Sequence, residues 1–150
     1  MKYVQLKGDD GGVMLDARRY LEVLPEMVDR LPEGARRFAT DPDRYDFYST
    51  RCVKDLVLDR QVFDVDSETC VLVFTPNLHK HDEGLTVTYV DVRSIEVQME
   101  PPSGFDPMRF HVLLDEILPT EGGVRHEYGL RRGTVVIRAA DLEARWGTVE

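Results

Sequence analysis

Residues 110–138 read FHVLLDEILPTEGGVRHEYGLRRGTVVIR, and this stretch decides the fold class. Three apolar-rich runs, 110–118, 124–130 and 134–138, are separated by Pro119-Thr120-Glu121-Gly122-Gly123 and by Arg131-Arg132-Gly133. Runs of this length between glycine and proline punctuation read as strands. Their connections are too short for the crossover that parallel strands need, so the pairing is antiparallel. With 119–123 taken as a five-residue loop, 118 faces 124, 116 faces 126, 114 faces 128 and 112 faces 130. Glu116 then lies beside His126, on a face shared with Val112, Leu114, Tyr128 and Leu130. A histidine beside a carboxylate on an apolar face is a candidate general base. Asp115 falls on the other face, near Glu127 and Arg125, as a solvated ladder of charge. A register slip of one residue dissolves the Glu116–His126 pair.

Outward from this stretch the strand pattern continues upstream. Val53 to Asp59, Cys70 to Phe74, Leu85 to Tyr89 and Ile95 to Met99 are strand candidates, with a turn at Asp64-Val65-Asp66-Ser67. Pro101-Pro102-Ser103-Gly104 punctuates the chain before the decisive stretch. Downstream, Leu142 and Trp146 share a face if 140–146 is a short helix. The first forty-odd residues have helical spacing instead. Asp16 can cap a helix with Tyr20, Leu21, Leu24, Val28 and Leu31 on one side, interrupted at Pro25. A second short helix runs through Ala35 and Phe38 to Asp41-Pro42. The expected architecture is α+β: an antiparallel meander of six or seven strands, as an open sheet or a barrel, with N-terminal helices and a short C-terminal helix. Residues 1–150 form one domain, with 1–48 a mainly helical cap and loop and 49–150 mainly sheet.

The chain is 150 residues long, 42% hydrophobic and 31% charged, with a formal net charge of −9. Its apolar share suits a folded domain, and no run reaches the roughly 18 apolar residues of a membrane span. The N-terminus lacks a signal peptide's apolar core, so a cytoplasmic location is expected. Residues 51–100 hold 10 acidic side chains against 5 basic, which places the acidic excess in the middle of the chain. Nucleic acid and anionic membranes are disfavoured partners, and a basic protein is favoured. Cys52 and Cys70 have neither the spacing of a metal site nor that of a redox pair and read as reduced, apolar residues. The 15 arginines against 4 lysines fit a GC-rich bacterial genome.

Motifs for nucleotide binding or hydrolysis are absent. Gly8-Asp9-Asp10-Gly11-Gly12 reads as a flexible turn whose aspartates repel phosphate. Asp64-x-Asp66-x-Glu68 starts like a calcium loop, but Thr69 and Thr75 stand where glycine and glutamate belong. His79-x-His81 is the best metal candidate, since alternate residues of an extended segment point the same way and an H-x-H pair can hold one transition metal ion. The run Asp41 to Tyr48 sets tyrosines and a phenylalanine among acids, as protein-recognition surfaces do.

These readings favour a non-enzymatic acidic binding protein that engages a basic protein partner and requires no cofactor. Its candidate contacts are Asp43, Tyr45, Asp46, Tyr48, Asp64, Asp66, Asp82 and Glu83. The alternative is a small metal-dependent enzyme or ligand-binding β-barrel, with His79 and His81 as ligands and Glu116 and His126 as acid and base. An oligomerising structural domain is the third expectation. Lys54-Asp55-Leu56-Val57-Leu58, Tyr89-Val90-Asp91-Val92 and the His126-Glu127 strand leading to Asp141-Leu142 and Trp146 loosely resemble small bacterial proteins of mixed helix and sheet. Some of those act as immunity or antitoxin-like partners, which implies a masking role.

Overall fold

Only Glu121 and Gly122 separate β7 (Val112–Thr120) from β8 (Gly123–Leu130), so the hairpin is tighter than a five-residue loop. Gly122 has a φ of 75°, a backbone region that glycine enters without steric penalty. Pro119 is accommodated inside β7 because β7 is an edge strand. The computed structural model describes residues 1–9, 12–101 and 104–149, so Asp10 and Gly11 of the expected glycine-rich turn, and Pro102 and Ser103, lie outside the described residues.

Ten strands in three antiparallel sheets and two α-helices are present among the described residues. β1 (Gln5–Asp9) and β2 (Gly12–Asp16) form a hairpin that precedes the helices, so the helices do not open the chain. One four-stranded sheet has the order β10-β5-β4-β3, built from β3 (Val57–Asp64), β4 (Thr69–Thr75), β5 (Gly84–Val90) and β10 (Asp141–Gly147). The other has the order β6-β9-β8-β7, with β6 (Ser94–Met99) and β9 (Gly133–Ala139) completing it. The expected meander holds for β3-β4-β5 and for β7-β8-β9. It breaks where β6 and β10 pair with β9 and β5 across the chain.

Two long strand pairs bend from one sheet into the other. β5 passes into β6 through Asp91, which has a φ of 49°, and β9 passes into β10 through Ala140 alone. The bend is held by the Ala140 N–H on the Val90 carbonyl at 3.0 Å and the Arg93 N–H on the Arg138 carbonyl at 2.8 Å. On the other side the sheets meet at an antiparallel seam, where Asp55 N–H donates to the Val112 carbonyl and Val112 N–H to the Leu56 carbonyl, both at 2.8 Å. The inner faces contribute Cys70, Leu72, Phe74, Leu85, Val87 and Tyr89 from one sheet and Ile117, Val124, Tyr128, Val135 and Ile137 from the other to one core. Both cysteines are buried free thiols, and burial pushes Cys70 up to about 11.

The segment 141–147 is a strand and not the expected C-terminal helix. Leu142, Ala144 and Trp146 also alternate with Glu143 and Arg145, and this period meets Tyr89, Val87 and Leu85 across β5. Pairing with an available strand edge overrides a short helical spacing.

The second helix covers this edge, and the first packs against β7. α1 (Arg18–Met27) buries Tyr20, Leu24 and Met27 and contains Pro25, and it tightens into a 3₁₀ turn at Val28–Arg30. Asp16 lies one residue before the helix N-cap, yet its carboxylate still accepts the Arg18 N–H at 3.1 Å. α2 (Glu33–Ala39) has no capping side chain of its own. The Asp141 carboxylate supplies the cap across the fold, accepting the N–H groups of Gly34 at 3.0 Å and Ala35 at 2.9 Å. The helix sits so close to β10 that a methyl group on Gly34 would run into the Leu142 carbonyl. Gly34→Ala is therefore expected to cost about 1–3 kcal/mol despite alanine's better helix propensity, read as a lower urea midpoint with an unchanged slope.

Candidate interaction face and the buried polar network

The true register pairs Glu116 with Glu127 and Ile117 with His126, one residue away from the expected pairing. Val112 still faces Leu130, because an irregularity at Leu113 absorbs the difference. Glu116 and His126 therefore occupy opposite faces and cannot act as an acid–base pair. The Glu116 carboxylate instead accepts three backbone N–H groups, from Lys2 at 2.8 Å, Tyr3 at 2.6 Å and Val4 at 2.8 Å. Glu127 beside it takes the Met1 ammonium at 3.1 Å and Arg125 at 2.9 Å. Of the expected solvated ladder, the Arg125–Glu127 contact forms, but Glu127 is buried and Asp115 faces Tyr128 in the core.

His126 is fully buried, and its carboxylate partner is Asp115. Arg44, from the loop after α2, also donates to Asp115. On the other side of the ring, Tyr89 Oη lies 2.7 Å from His126 Nδ1 and 2.7 Å from Tyr128 Oη. One proton arrangement satisfies both tyrosines, the histidine and the carboxylate. Tyr128 donates to Tyr89, Tyr89 to His126 Nδ1, and His126 Nε2–H to an ionised Asp115 that also takes Arg44. Burial would raise Asp115, but the Arg44 charge and the His126 hydrogen bond outweigh it and hold the carboxyl below its ordinary value. Burial pushes His126 down, so the ring stays neutral. The Arg44 guanidinium lies over the rings of Tyr45 at 4.6 Å and Phe38 at 4.9 Å. Among the described residues its Nε and Nη1 have no hydrogen-bond partner, and the cation–ring contacts offset part of that cost. Every member is sealed in the core, so this set holds elements together.

The H-x-H pair does not converge. His79 is exposed, and His81 is buried with both nitrogens engaged. Asn77 N–H donates to His81 Nδ1 at 3.1 Å, so Nε2 carries the proton and donates to the Cys52 carbonyl at 2.8 Å. Burial lowers the His81 pKa, and the ring stacks on Trp146 at 6.3 Å. Among the described residues, no group of three histidine, cysteine or acidic side chains is placed to hold a metal ion.

The candidate contact residues divide between two places. Asp64 and Asp66 stand at the exposed β3–β4 tip, where Asp64 Oδ1 accepts the Asp66 N–H at 2.9 Å. The others gather on the loops 41–56 and 76–83. Tyr45 anchors the first loop, donating its hydroxyl to the Asp115 carbonyl at 2.7 Å. Asp43 is half-buried, and Asp46 is exposed, accepting the Tyr48 N–H at 3.0 Å. Tyr48 is 92% exposed and Phe47 is 52% exposed, and the two rings meet edge to face at 5.5 Å. Lys80 Nζ lies 4.0 Å from the Phe47 ring centre and Lys54 Nζ 5.5 Å from it. Both lysines are paired to Asp55, at 2.9 Å for Lys54 and 3.2 Å for Lys80. Arg51 reaches Glu83 at 3.3 Å and links the loops a second time, with Asp82 exposed beside it. Arg51 also helps line a surface cleft of about 260 Å³ with Arg37, Phe38 and Trp146.

Phe47 and the Lys54–Asp55–Lys80 cluster were not among the sequence candidates. Phe47 stood in the aromatic run, but nothing local in the sequence joins it to Lys80. No protein-family model matches this chain, and no curated protein matches it.

Two outcomes follow from the buried groups. His126 and His81 both have pKa values lowered by folding, so the folded state binds fewer protons. Their stabilising contribution is complete above the ordinary value of 6.5 and is lost as pH falls through the folded values. Urea unfolding should show stability falling below this point by up to about 1.4 kcal/mol per pH unit for each ring, less steeply in His81→Gln. Asp115→Asn leaves Arg44 buried without its counter-charge and should cost about 3–5 kcal/mol. Arg44→Met with Asp115→Leu should cost less than the sum of the two single changes.

Proposed function

We propose that this chain is a non-enzymatic binding protein that engages a basic protein partner through the face formed by loops 41–56 and 76–83. The observation that carries the reading is the exposed Phe47–Tyr48 pair, braced by two lysines. Exposed aromatic rings supply contact area at low entropic cost when their position is already fixed. Here Phe47 is fixed by two cations that share the Asp55 carboxylate, and Tyr48 leans on Phe47. Asp46 and Asp82 are exposed alongside, with Asp43 half-buried, and offer carboxylates to a cationic partner. The acidic net charge of −9 speeds the approach of such a partner and makes binding sensitive to salt. A masking role of the immunity or antitoxin type is one use of such a face, and a compartment shared with the partner is its only localisation requirement.

The test is capture from host lysate on immobilised protein, with wild type and variants run side by side. Wild type should retain a basic protein at low salt and release it at high salt. Tyr48→Ala should weaken that retention by roughly 30-fold, as for an aromatic at the centre of an interface. Asp46→Lys with Asp82→Lys should reduce both the affinity and its salt dependence. Unchanged retention by both variants would remove this face from consideration.

A further inference from the structure

The β3 edge carries a separate inference. Within its sheet β3 pairs with β4, and its seam with 110–112 ends at Leu58, so among the described residues no strand pairs with the other edge of 59–64. Every residue from Asp59 to Asp64 is exposed, with Val62 at 55% and Phe63 at 45%. An exposed strand edge with apolar side chains invites another strand.

We infer that the partner of this edge is a second copy of the same chain, joined by antiparallel β3–β3 pairing about a two-fold axis at Val62. Two constraints select this register. Antiparallel partners must both point their N–H and C=O groups toward each other or both away. In a symmetric pair, opposed residues therefore have the same parity, and the axis falls on a residue and not between two. Of the axes that residues allow, Val62 places Arg60 opposite the second copy's Asp64 on both sides of the axis and keeps all five positions, 60–64, within the strand. An axis at Gln61 sets Arg60 against Val62, and one at Phe63 carries Arg60 out to Asp66 in the turn.

The faces agree with this register. Arg60, Val62 and Asp64 lie opposite Val73, Val71 and Thr69 of β4 and so share one face of the sheet. The two Val62 side chains meet at the axis, flanked by an Arg60–Asp64 pair on each side. On the other face Gln61 meets Phe63. Arg60 Nε already holds Asp59 at 3.0 Å. Asp64 Oδ1 accepts the N–H groups of Asp66 and Ser67. A guanidinium has five N–H donors and a carboxylate about four acceptor sites, so a cross-strand pair adds to such contacts. The result is a sheet of eight strands continuous across two copies.

The test uses opposite charge changes at positions that the fold leaves exposed. Light scattering and sedimentation over a concentration series should show wild type forming a dimer. Arg60→Asp sets Asp against Asp64 twice, and Asp64→Arg sets Arg against Arg60 twice. Each variant alone should dimerise at least about tenfold more weakly, because two cross-strand pairs change from attraction to repulsion. Mixed together, the two variants restore both opposite-charge pairs and should form a heterodimer of near wild-type affinity, resolved by native mass spectrometry. Thermal melting by circular dichroism checks that each variant is folded. A wild type that stays monomeric at all concentrations, or variants whose mixture shows no heterodimer, would overturn the proposal. Tyr48→Ala should leave dimerisation unchanged, which separates this surface from the binding face proposed above.

Discussion

One carboxylate, Asp115, joins parts of the molecule that are distant in sequence. It takes Arg44 from the loop after the helices and His126 from the neighbouring strand, and through His126 it reaches Tyr89 in the opposite sheet. Its own backbone carbonyl receives the Tyr45 hydroxyl. The net worth of such a buried pair is modest, because desolvation offsets most of the attraction. Loss of one member is costly, since it strands the other charge in the core. The network thus contributes less to total stability than to the choice of a single arrangement.

Asp115 and Glu116 are adjacent in β7, and strand geometry sends them to opposite faces. The first fixes the helical loop from inside. The second accepts the N–H groups of residues 2–4 from outside and so brings the first hairpin against β7. The pair divides the work of attaching non-sheet segments to one strand. The same economy appears at Asp141, whose carboxylate caps α2 from the first position of β10. The N-cap residue of α2 is Pro32, which has no side-chain acceptor, and an acid at a strand position completes the cap in its place.

Much of the sheet was legible because the relevant signals are local. Alternation at 85–89, the apolar run at 70–74 and the glycines near 122 and 133 each mark a strand or turn within a few residues. The helices were also legible, but α1 runs through Pro25 to Met27 and does not break there. The register of β7 against β8 was not, because Pro119 and Thr120 read as loop residues although an edge strand tolerates both. That single residue of slip moved His126 from Glu116 to Asp115 and turned a candidate acid–base pair into a core element. Segment 141–147 fits two periods equally well, and only the open edge of β5 decides between them. The burial of Arg44 had no local signal, since its neighbours Asp41, Asp43 and Asp46 suggest a solvated stretch.

The distribution of paired charge explains why the two acidic loops are available at all. The cations near them are committed elsewhere: Arg44 to Asp115, Lys54 and Lys80 to Asp55, and Arg51 to Glu83. Each of these pairings also does a structural job, sealing the core, bracing Phe47 or tying one loop to the other. Arg44, Lys54 and Lys80 are largely buried in those pairings and so do not neutralise Asp43, Asp46 and Asp82. The carboxylates that remain are displayed on backbone already fixed by Tyr45 and Asp55. A partner therefore meets a charged, aromatic surface whose ordering cost was met during folding, and that pre-organisation is what distinguishes this face from an acidic loop that is merely solvated.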